Sequence, residues 1–366
     1  LAPHPYPYPA LMDREAGIEA YQAMITAEVY QAKSATGARD HLHLYQNDQE
    51  APVIQMIVDQ VTESVGAVMK YRLVAVGGAD LPLWTAGAHL DIVVAPEFLR
   101  QYSMCGDPSD RSCYEIAVLL EPEGRGGSKL MQRIFEEGRR VFVSKPINHF
   151  ALEASASLSL LFGGGIGVTP MIAFAHELDS AGRNFKLMYS SSTQASAAFD
   201  SDFEGQPWAK KCSKHYSDQG SRLDIASVVP PYEAGIHIYV CGPNAYMTAI
   251  LDHARFMGYP DVVLHAEFFV VPDMPDWVNF PFEIERNNGQ KVSVSVDQSA
   301  SDALIAAGIS VDVKCSDGLC GVCKCTLISG AVEHRDFVLS AAQRETTMIL
   351  CQSRALQKNA VLKLDI

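Results

Sequence analysis

The sequence has no apolar run approaching the ~18–20 residues that a membrane-spanning helix needs. With 48% hydrophobic and 20% charged residues, a soluble chain with a substantial core is expected. Basic excess is missing too: 43 acidic against 29 basic residues leave a formal charge of −14. That balance argues against a nucleic-acid footprint and against binding to anionic lipid. No secretory leader is visible, because the Pro/Tyr-rich opening has neither a basic segment nor an apolar one; the expected compartment is the cytosol. Leu1 rather than Met opens the chain, which fits either processing or a piece of something longer. The histidines form no H-x3-H or H-E-x-x-H ligand spacing, no G-x-S-x-G nucleophile turn is present, and no solenoid-type repeat recurs.

A length of 366 residues exceeds what one core usually organises, so two or three domains are expected. Residues 1–50 read as a linker followed by a helical extension. Prolines at every second position from Pro3 to Pro9 favour extended backbone, and Ile18, Tyr21, Ile25 and Tyr30 predict a packing helix over 12–33. In 51–150, β-rich runs at 55–65, 70–76, 89–94 and 115–120 alternate with turn residues, the rhythm of a small antiparallel barrel. In 151–270, strands at 158–162, 185–189, 236–240 and 262–266 alternate with helices, which indicates a parallel, helix-covered sheet. Proline-punctuated residues 271–280 read as a linker. In 281–366, runs at 282–285 and 291–296 flank Asn287-Asn288-Gly289, a hairpin signal that opens a small α+β unit.

The nine cysteines are an odd number, and four of them crowd into residues 315–325. Reduced metal ligands explain that better than bridges. Cys315, Cys320 and Cys323 have the spacing C-x4-C-x2-C, and 27 residues separate Cys323 from Cys351. This is the ligand pattern of a plant-type [2Fe-2S] centre, in which four thiolates hold two irons. A structural zinc site is the competing reading, although zinc motifs usually pair two short units such as C-x2-C. Cys325, two residues beyond Cys323 in an apparent strand, reads as a spectator, and Cys105, Cys113 and Cys212 as ordinary thiols. A one-electron centre fed by a nicotinamide, which delivers a hydride, calls for a flavin as converter.

Arg100-Gln101-Tyr102-Ser103 suits such a flavin: Arg offers a fork of donors for phosphate, Tyr a flat face and Ser a hydroxyl. Alone the string is weak; Gly124-Arg125-Gly126-Gly127-Ser128 about twenty residues on strengthens it. Gly126 and Gly127 permit close backbone approach, and Ser128 stands where a helix could open. Gly163-Gly164-Gly165-Ile166-Gly167-Val168-Thr169-Pro170 lies at a strand-to-helix turn, a place for a pyrophosphate or simply a turn. Cys241-Gly242-Pro243 ends a later strand, and in open α/β sheets ligands bind at such carboxyl ends. Glu267 and Phe269 follow the last strand of this region. The loop Ser190-Ser191-Ser192-Thr193-Gln194 has no Lys or Arg for a 2′-phosphate, which leans towards NADH.

From about Gln55 to Ile366 the chain resembles the phthalate dioxygenase reductase type of Rieske oxygenase reductases. The motifs that carry the resemblance are Arg100-x-Tyr102-Ser103, Arg125-Gly126-Gly127-Ser128, Gly163 to Pro170, Cys241-Gly242-Pro243, Glu267-x-Phe269 and the four cysteines. The resemblance implies a flavin barrel, a nicotinamide domain and a C-terminal β-grasp ferredoxin, in that order. It implies FMN rather than FAD, with Arg100, Tyr102 and Ser103 at the flavin and Gly124 to Ser128 near its phosphate. It also implies Thr169 and Cys241 in the nicotinamide pocket, with Glu267 and Phe269 close to both rings, and Cys241 not acting as a redox thiol. The function implied is transfer of electrons from NADH through FMN and the cluster to a separate Rieske-type oxygenase. Leu119 and Leu120 stand where relatives tend to carry basic residues, and the first fifty residues exceed the family core. Two other readings use the same motifs: a reductase acting on a small acceptor directly at its flavin, and a redox-sensing module whose cluster governs docking.

Overall fold

The computed structural model describes residues 54–95, 98–122, 126–270, 277–313, 315–339 and 341–366. The linker and helix expected in residues 1–50, Gly124 and Arg125, and most of the linker at 271–280 lie outside the described residues. The chain divides into two compact units, Leu1–Leu223 and Asp224–Ile366.

In the first unit, alternation of apolar and polar residues builds an antiparallel barrel. Its strands are β1 (Ile54–Ser64), β2 (Val68–Ala75), β3 (Ala88–Ala95), β4 (Phe98–Ser103), β5 (Cys113–Leu119) and β6 (Arg140–Val143), with the short β7 (Ile147–Asn148) beside β3. They run in the order β4-β3-β6-β1-β2-β5, and a Met104–Ile116 bridge joins the chain after β4 to β5. Closure removes the exposed edges an open sheet would leave. Inward positions carry Met56, Val58, Tyr71, Leu73, Leu90, Ile92, Tyr114, Ile116 and Val118, all buried. A register shift between Val58 and Gln60 bends β1 around the barrel. Helix α1 (Gly127–Ile134) packs through Gly127, Leu130, Met131 and Ile134, the i, i+3, i+4, i+7 face of an amphipathic helix.

The same unit continues into parallel strands β8 (Leu158–Gly164), β9 (Phe185–Ser191) and β10 (Cys212–Tyr216), paired β8 to β9 and β9 to β10. Helix α2 (Thr169–Ser180) makes the crossover between the first two. Residues 160–164 are buried without alternation, as strands covered on both faces should be.

In the second unit, β11 (Ile236–Cys241) and β12 (Leu264–Glu267) are parallel and joined through α3 (Asn244–Phe256). Beyond them stands the α+β part. The hairpin of β13 (Phe282–Arg286) and β14 (Lys291–Val294) turns at Gly289, whose φ of 80° suits glycine. Strand β13 pairs in parallel with β19 (Val361–Leu364), which pairs antiparallel with β15 (Lys324–Ser329), and β15 with β17 (Thr347–Ile349). A separate ladder joins β16 (Val332–Glu333) to β18 (Arg354–Ala355). Helix α4 (Ala300–Ala306) crosses this sheet, its first turn capped by Ser299, whose hydroxyl accepts from the Asp302 N–H at 3.1 Å. The core is Phe282, Ile284, Val294, Leu304, Met348, Ile349, Leu362 and Leu364.

Several expected bounds shift. The run at 262–266 starts as a strand only at Leu264, because Asp261–Val263 form a 3₁₀ turn. The run at 291–296 stops at Val294, and the Arg100–Ser103 string lies within β4. Strands β6, β7, β10 and β16 to β19 carried no readable signal. Most are two to five residues long, and β10, Cys-Ser-Lys-His-Tyr, is a polar edge strand.

Candidate electron-transfer sites

Within β4, Arg100 and Tyr102 fall on one face by strand periodicity, opposite Ile92 and Leu90 of β3, and Ser103 ends the strand. Arg100 reaches the start of α1. A Cβ placed on Gly127 would meet Arg100 Nε at 2.4 Å and Cζ at 2.9 Å, so the guanidinium lies directly over that glycine. Gly126, the N-cap, has φ of 91°, which lets the chain turn abruptly into the helix. The Ser128 hydroxyl accepts from the Glu121 N–H at 3.1 Å, leaving its own proton to donate outward. A guanidinium, a helix N-terminus and a bare Cα that a Cβ would fill make a cradle fitting a phosphate. Burial pushes the Tyr102 phenol up to about 12, with Arg100 opposing, so its ring stays neutral.

The glycine turn splits into two roles. Gly163 has no side chain because a Cβ there would meet Val168 Cα at 2.7 Å; its bareness serves packing of the 3₁₀ turn Gly165–Val168. Gly165, at φ of 54°, has nothing within 4 Å of such a Cβ, so a ligand can approach there. Buried Thr169 opens α2 with its hydroxyl donating to Ile166 O at 3.0 Å, and Pro170 takes a position in the first turn where no N–H is missed. At the far end of β9, the Ser191 and Ser192 hydroxyls both contact Ser196 Oγ, at 2.8 and 3.2 Å, and Ser192 O accepts from the Asp218 N–H.

In the second unit Cys241 pairs in register with Glu267 where β11 and β12 end, and Gly242 and Pro243 lead into α3. Cys241 is fully buried; burial first, and the Glu267 charge second, raise its thiol well above the ordinary range. It is a neutral thiol, in keeping with a packing and lining role rather than a redox one. Phe269 is 40% exposed just beyond β12.

The cysteine loop brings its four expected ligands together. Cys315 is linked by sulfur hydrogen bonds to Cys320 and Cys351, and Cys323 to Cys351. Hydrogen bonds from Cys320 and then Cys351 hold the Cys315 thiol below its ordinary range, while Cys320 and Cys351 are pushed up by the same contacts. The Asp317 N–H donates to Cys315 Sγ at 3.3 Å. Ser316, Gly318 and Gly321 all have positive φ (61°, 73° and 69°), curling the loop around the sulfurs. The Ser316 hydroxyl is buried with no partner among the described residues. Among those residues no three Cys, His, Asp or Glu side chains are grouped as ligands of one ion. The four sulfurs form a linked row, Cys320–Cys315–Cys351–Cys323, and a two-iron cluster takes four thiolates, two on each iron. Four soft donors, backbone N–H groups and an orphaned hydroxyl therefore fit the [2Fe-2S] group. Cys325 lies in β15 with its thiol directed to Thr326 O and Asp365 O at 3.6 Å, away from this set.

Sequence reasoning missed the supports beneath the loop. Gln352 donates to Ser316 O at 2.6 Å, and the buried Asp336 accepts from the Leu339 N–H at 2.9 Å and lies 3.4 Å from the Ser353 hydroxyl. Gln352 and Ser353 could have been suspected as neighbours of Cys351; Asp336 has no such signal. A cavity of about 380 Å³ in the first unit, lined by Lys70, Glu115, His176, Asp202 and Trp208 among others, holds none of the expected site residues.

Comparison with known proteins agrees with this geometry. Residues 284–356 match the 2Fe-2S iron-sulfur cluster binding domain family. The chain is 35% identical over 325 residues to vanillate O-demethylase oxidoreductase of Pseudomonas sp. (strain HR199 / DSM 7063), covering 86% of this chain and 100% of that protein. It is 34% identical over 303 residues to phthalate dioxygenase reductase of Burkholderia cepacia, covering 82% and 93%. The solved phthalate dioxygenase reductase, a modular structure for electron transfer from pyridine nucleotides to [2Fe-2S], superposes with TM-score 0.62 at 32% identity over 86% of this chain and 98% of that one. An intact type IV self-sufficient cytochrome P450 monooxygenase gives TM-score 0.77 at 32% identity, where this chain spans 41% of that chain's length. The fold is thus that of phthalate dioxygenase reductase: a flavin barrel, a parallel-sheet domain and a C-terminal ferredoxin. No helix among the described residues is long and apolar enough to cross a membrane. The chain belongs to the family of phthalate dioxygenase reductase and vanillate O-demethylase oxidoreductase, the reductase components of oxygenase systems.

Proposed function

We propose that this chain oxidises NADH and passes the electrons singly to a separate Rieske-type oxygenase, using bound FMN and a [2Fe-2S] cluster. When bound, FMN accepts the hydride's two electrons and the cluster carries them onward one at a time. The observation that carries this reading is the convergence of Cys351, after β17, on the loop of Cys315, Cys320 and Cys323, in a chain related to oxygenase reductases over nearly its whole described length.

The chain's own residues bind, orient and exclude water. Arg100, Gly126, Gly127 and Ser128, with Gly124 and Arg125, hold the FMN phosphate; Tyr102 and Ser103 hold the ring system. Gly163, Gly164, Gly165, Gly167, Thr169 and Pro170 form the turn for the NADH pyrophosphate and nicotinamide, and in the second unit Cys241, Gly242, Pro243, Glu267 and Phe269 serve the same ligand. No side chain is needed as acid or base, because a hydride carries its own proton. NADH is favoured over NADPH by the serine hydroxyls tied to Ser196, the absence of a cation in residues 190–194 and the nearby Asp218 backbone. The domains proposed are 51–150 for FMN, 151–270 for NADH, 271–280 as tether and 281–366 for the cluster. No disulfide joins any of the nine cysteines, as a reducing cytoplasm would keep them.

Cys320→Ala tests the reading. NADH should still bleach the flavin at the wild-type rate, while reduction of cytochrome c or an oxygenase falls to background. Loss of both activities, or survival of both, would count against the division of labour.

A further inference from the structure

The segment that follows β16 has attachments from three consecutive residues, Arg335, Asp336 and Phe337. Arg335 grips the end of the tether: its guanidinium lies 4.6 Å over the Trp277 ring, donates to Asn279 Oδ1 at 2.6 Å and pairs with Glu333. Arg354 holds the next residues, donating to Phe280 O at 3.1 Å. Asp336 is buried beneath the ligand loop, and the Phe337 N–H donates to Gly318 O of that loop at 3.1 Å. The Phe337 ring then meets Phe268, with centroids 5.1 Å apart and planes tilted by 49°. Phe268 directly follows Glu267, which is in register with Cys241 where β11 and β12 end. One ring contact therefore links the end of the nicotinamide-domain strands to the backbone that carries the iron ligands.

We infer that Phe268 and Phe337 form a latch that holds the [2Fe-2S] ligand loop against the ends of β11 and β12, setting how fast electrons from NADH reach the cluster. The inference rests on the relay proposed above. Both are positioning residues, since a phenylalanine ring carries no redox or acid–base group that the chemistry uses. The electron balance is untouched: each NADH becomes NAD⁺ by giving up a hydride, its two electrons leave singly by way of the cluster, and its proton goes to solvent. Tilted aromatic pairs contribute beyond simple burial, and removing one ring lowers the ratio of docked to undocked cluster domain roughly tenfold.

The test uses full-length holoprotein carrying Phe337→Ala, Phe337→Tyr or Phe268→Ala, mixed anaerobically with NADH and followed at flavin and cluster wavelengths, with limited proteolysis of the tether as a readout independent of turnover. For Phe337→Ala, flavin bleaching should stay at the wild-type rate while cluster bleaching slows and cleavage within 271–276 speeds up, each about tenfold. Phe337→Tyr should restore both, and Phe268→Ala should match Phe337→Ala in cluster bleaching and cleavage. If Phe337→Ala disturbs the ligand loop and loses the cluster spectrum, Phe268→Ala, outside the ferredoxin fold, decides. Wild-type cluster bleaching and wild-type cleavage in the alanine variants would overturn the latch, as would failure of the tyrosine rescue. Should the wild type itself pass no electrons from NADH to the cluster while the alanine variants still expose the tether, the relay fails and the latch stands.

Discussion

Gly127→Ala separates phosphate recognition from folding. The new Cβ would stand 2.4 Å from Arg100 Nε and 2.9 Å from Cζ, closer than real Cβ atoms come to any neighbour. Arg100 must therefore swing out of the cradle. The helix itself has no reason to object, since Ala is favoured over Gly in helices by up to ~1 kcal/mol. What is lost is a charge-assisted hydrogen bond from guanidinium to phosphate, worth ~1.5–3 kcal/mol. At ~1.4 kcal/mol per factor of ten, FMN should bind roughly 10- to 150-fold more weakly. Titrating deflavinated protein with FMN by fluorescence quenching measures the loss. Riboflavin, which has no phosphate, is the control, and its affinity should not change. Thermal unfolding of the flavin-free variant should occur at or above the wild-type temperature. Equal weakening of FMN and riboflavin would show that the substitution damages the ring site instead, and unchanged FMN affinity would refute the placement of Arg100 at the phosphate.

Two further outcomes follow from the other sites. Burial, with Asp365 adding to it, pushes the Cys325 thiol up to about 11 from an ordinary 9.0, so its reactive thiolate is scarce at pH 8 and grows as pH rises. Alkylation of Cys325 in cluster-loaded protein should be roughly a hundredfold slower than that of a free thiol at pH 8, and Cys325→Ser should keep the cluster absorbance; rapid labelling or a bleached variant would contradict its spectator role. Ser192→Arg places a cation at the end of β9, and steady-state kinetics should show the ratio of kcat/KM for NADH over NADPH falling about tenfold or more. An unchanged ratio would remove the adenosine ribose from this loop.

The fold was legible where the pattern is local. Strands β1 and β2 alternate inward and outward residues, β3 and β5 are β-rich and mostly buried, and β8 and β11 read as short continuous apolar runs; all were found within a few residues of their observed ends. The Asn-Asn-Gly turn placed the hairpin of β13 and β14, because Gly289 supplies the positive φ the turn needs. Strands such as β16 and β18 are two residues each and exist only because they meet one another across some twenty positions of chain. Nothing local distinguishes them from loop.

The same contrast governs the sites. Thiolate ligands must sit at fixed spacings around a rigid cluster, so C-x4-C-x2-C is written into neighbouring positions and could be read directly. The parts that stiffen the loop obey no spacing rule. Gln352 reaches Ser316 across 36 positions and Arg335 reaches Asn279 across 56, and either could be replaced by other donors without leaving a trace in the pattern. Gly163 shows the converse: its place in the glycine run invited a ligand-approach reading, yet the structure uses it to admit Val168. A glycine motif records only that a Cβ is excluded, and what excludes it, ligand or backbone, is settled by contacts distant from the motif. The Arg100–Gly127 approach is the informative case, since both residues belong to recognisable strings and their meeting turns two weak signals into the one phosphate site proposed above.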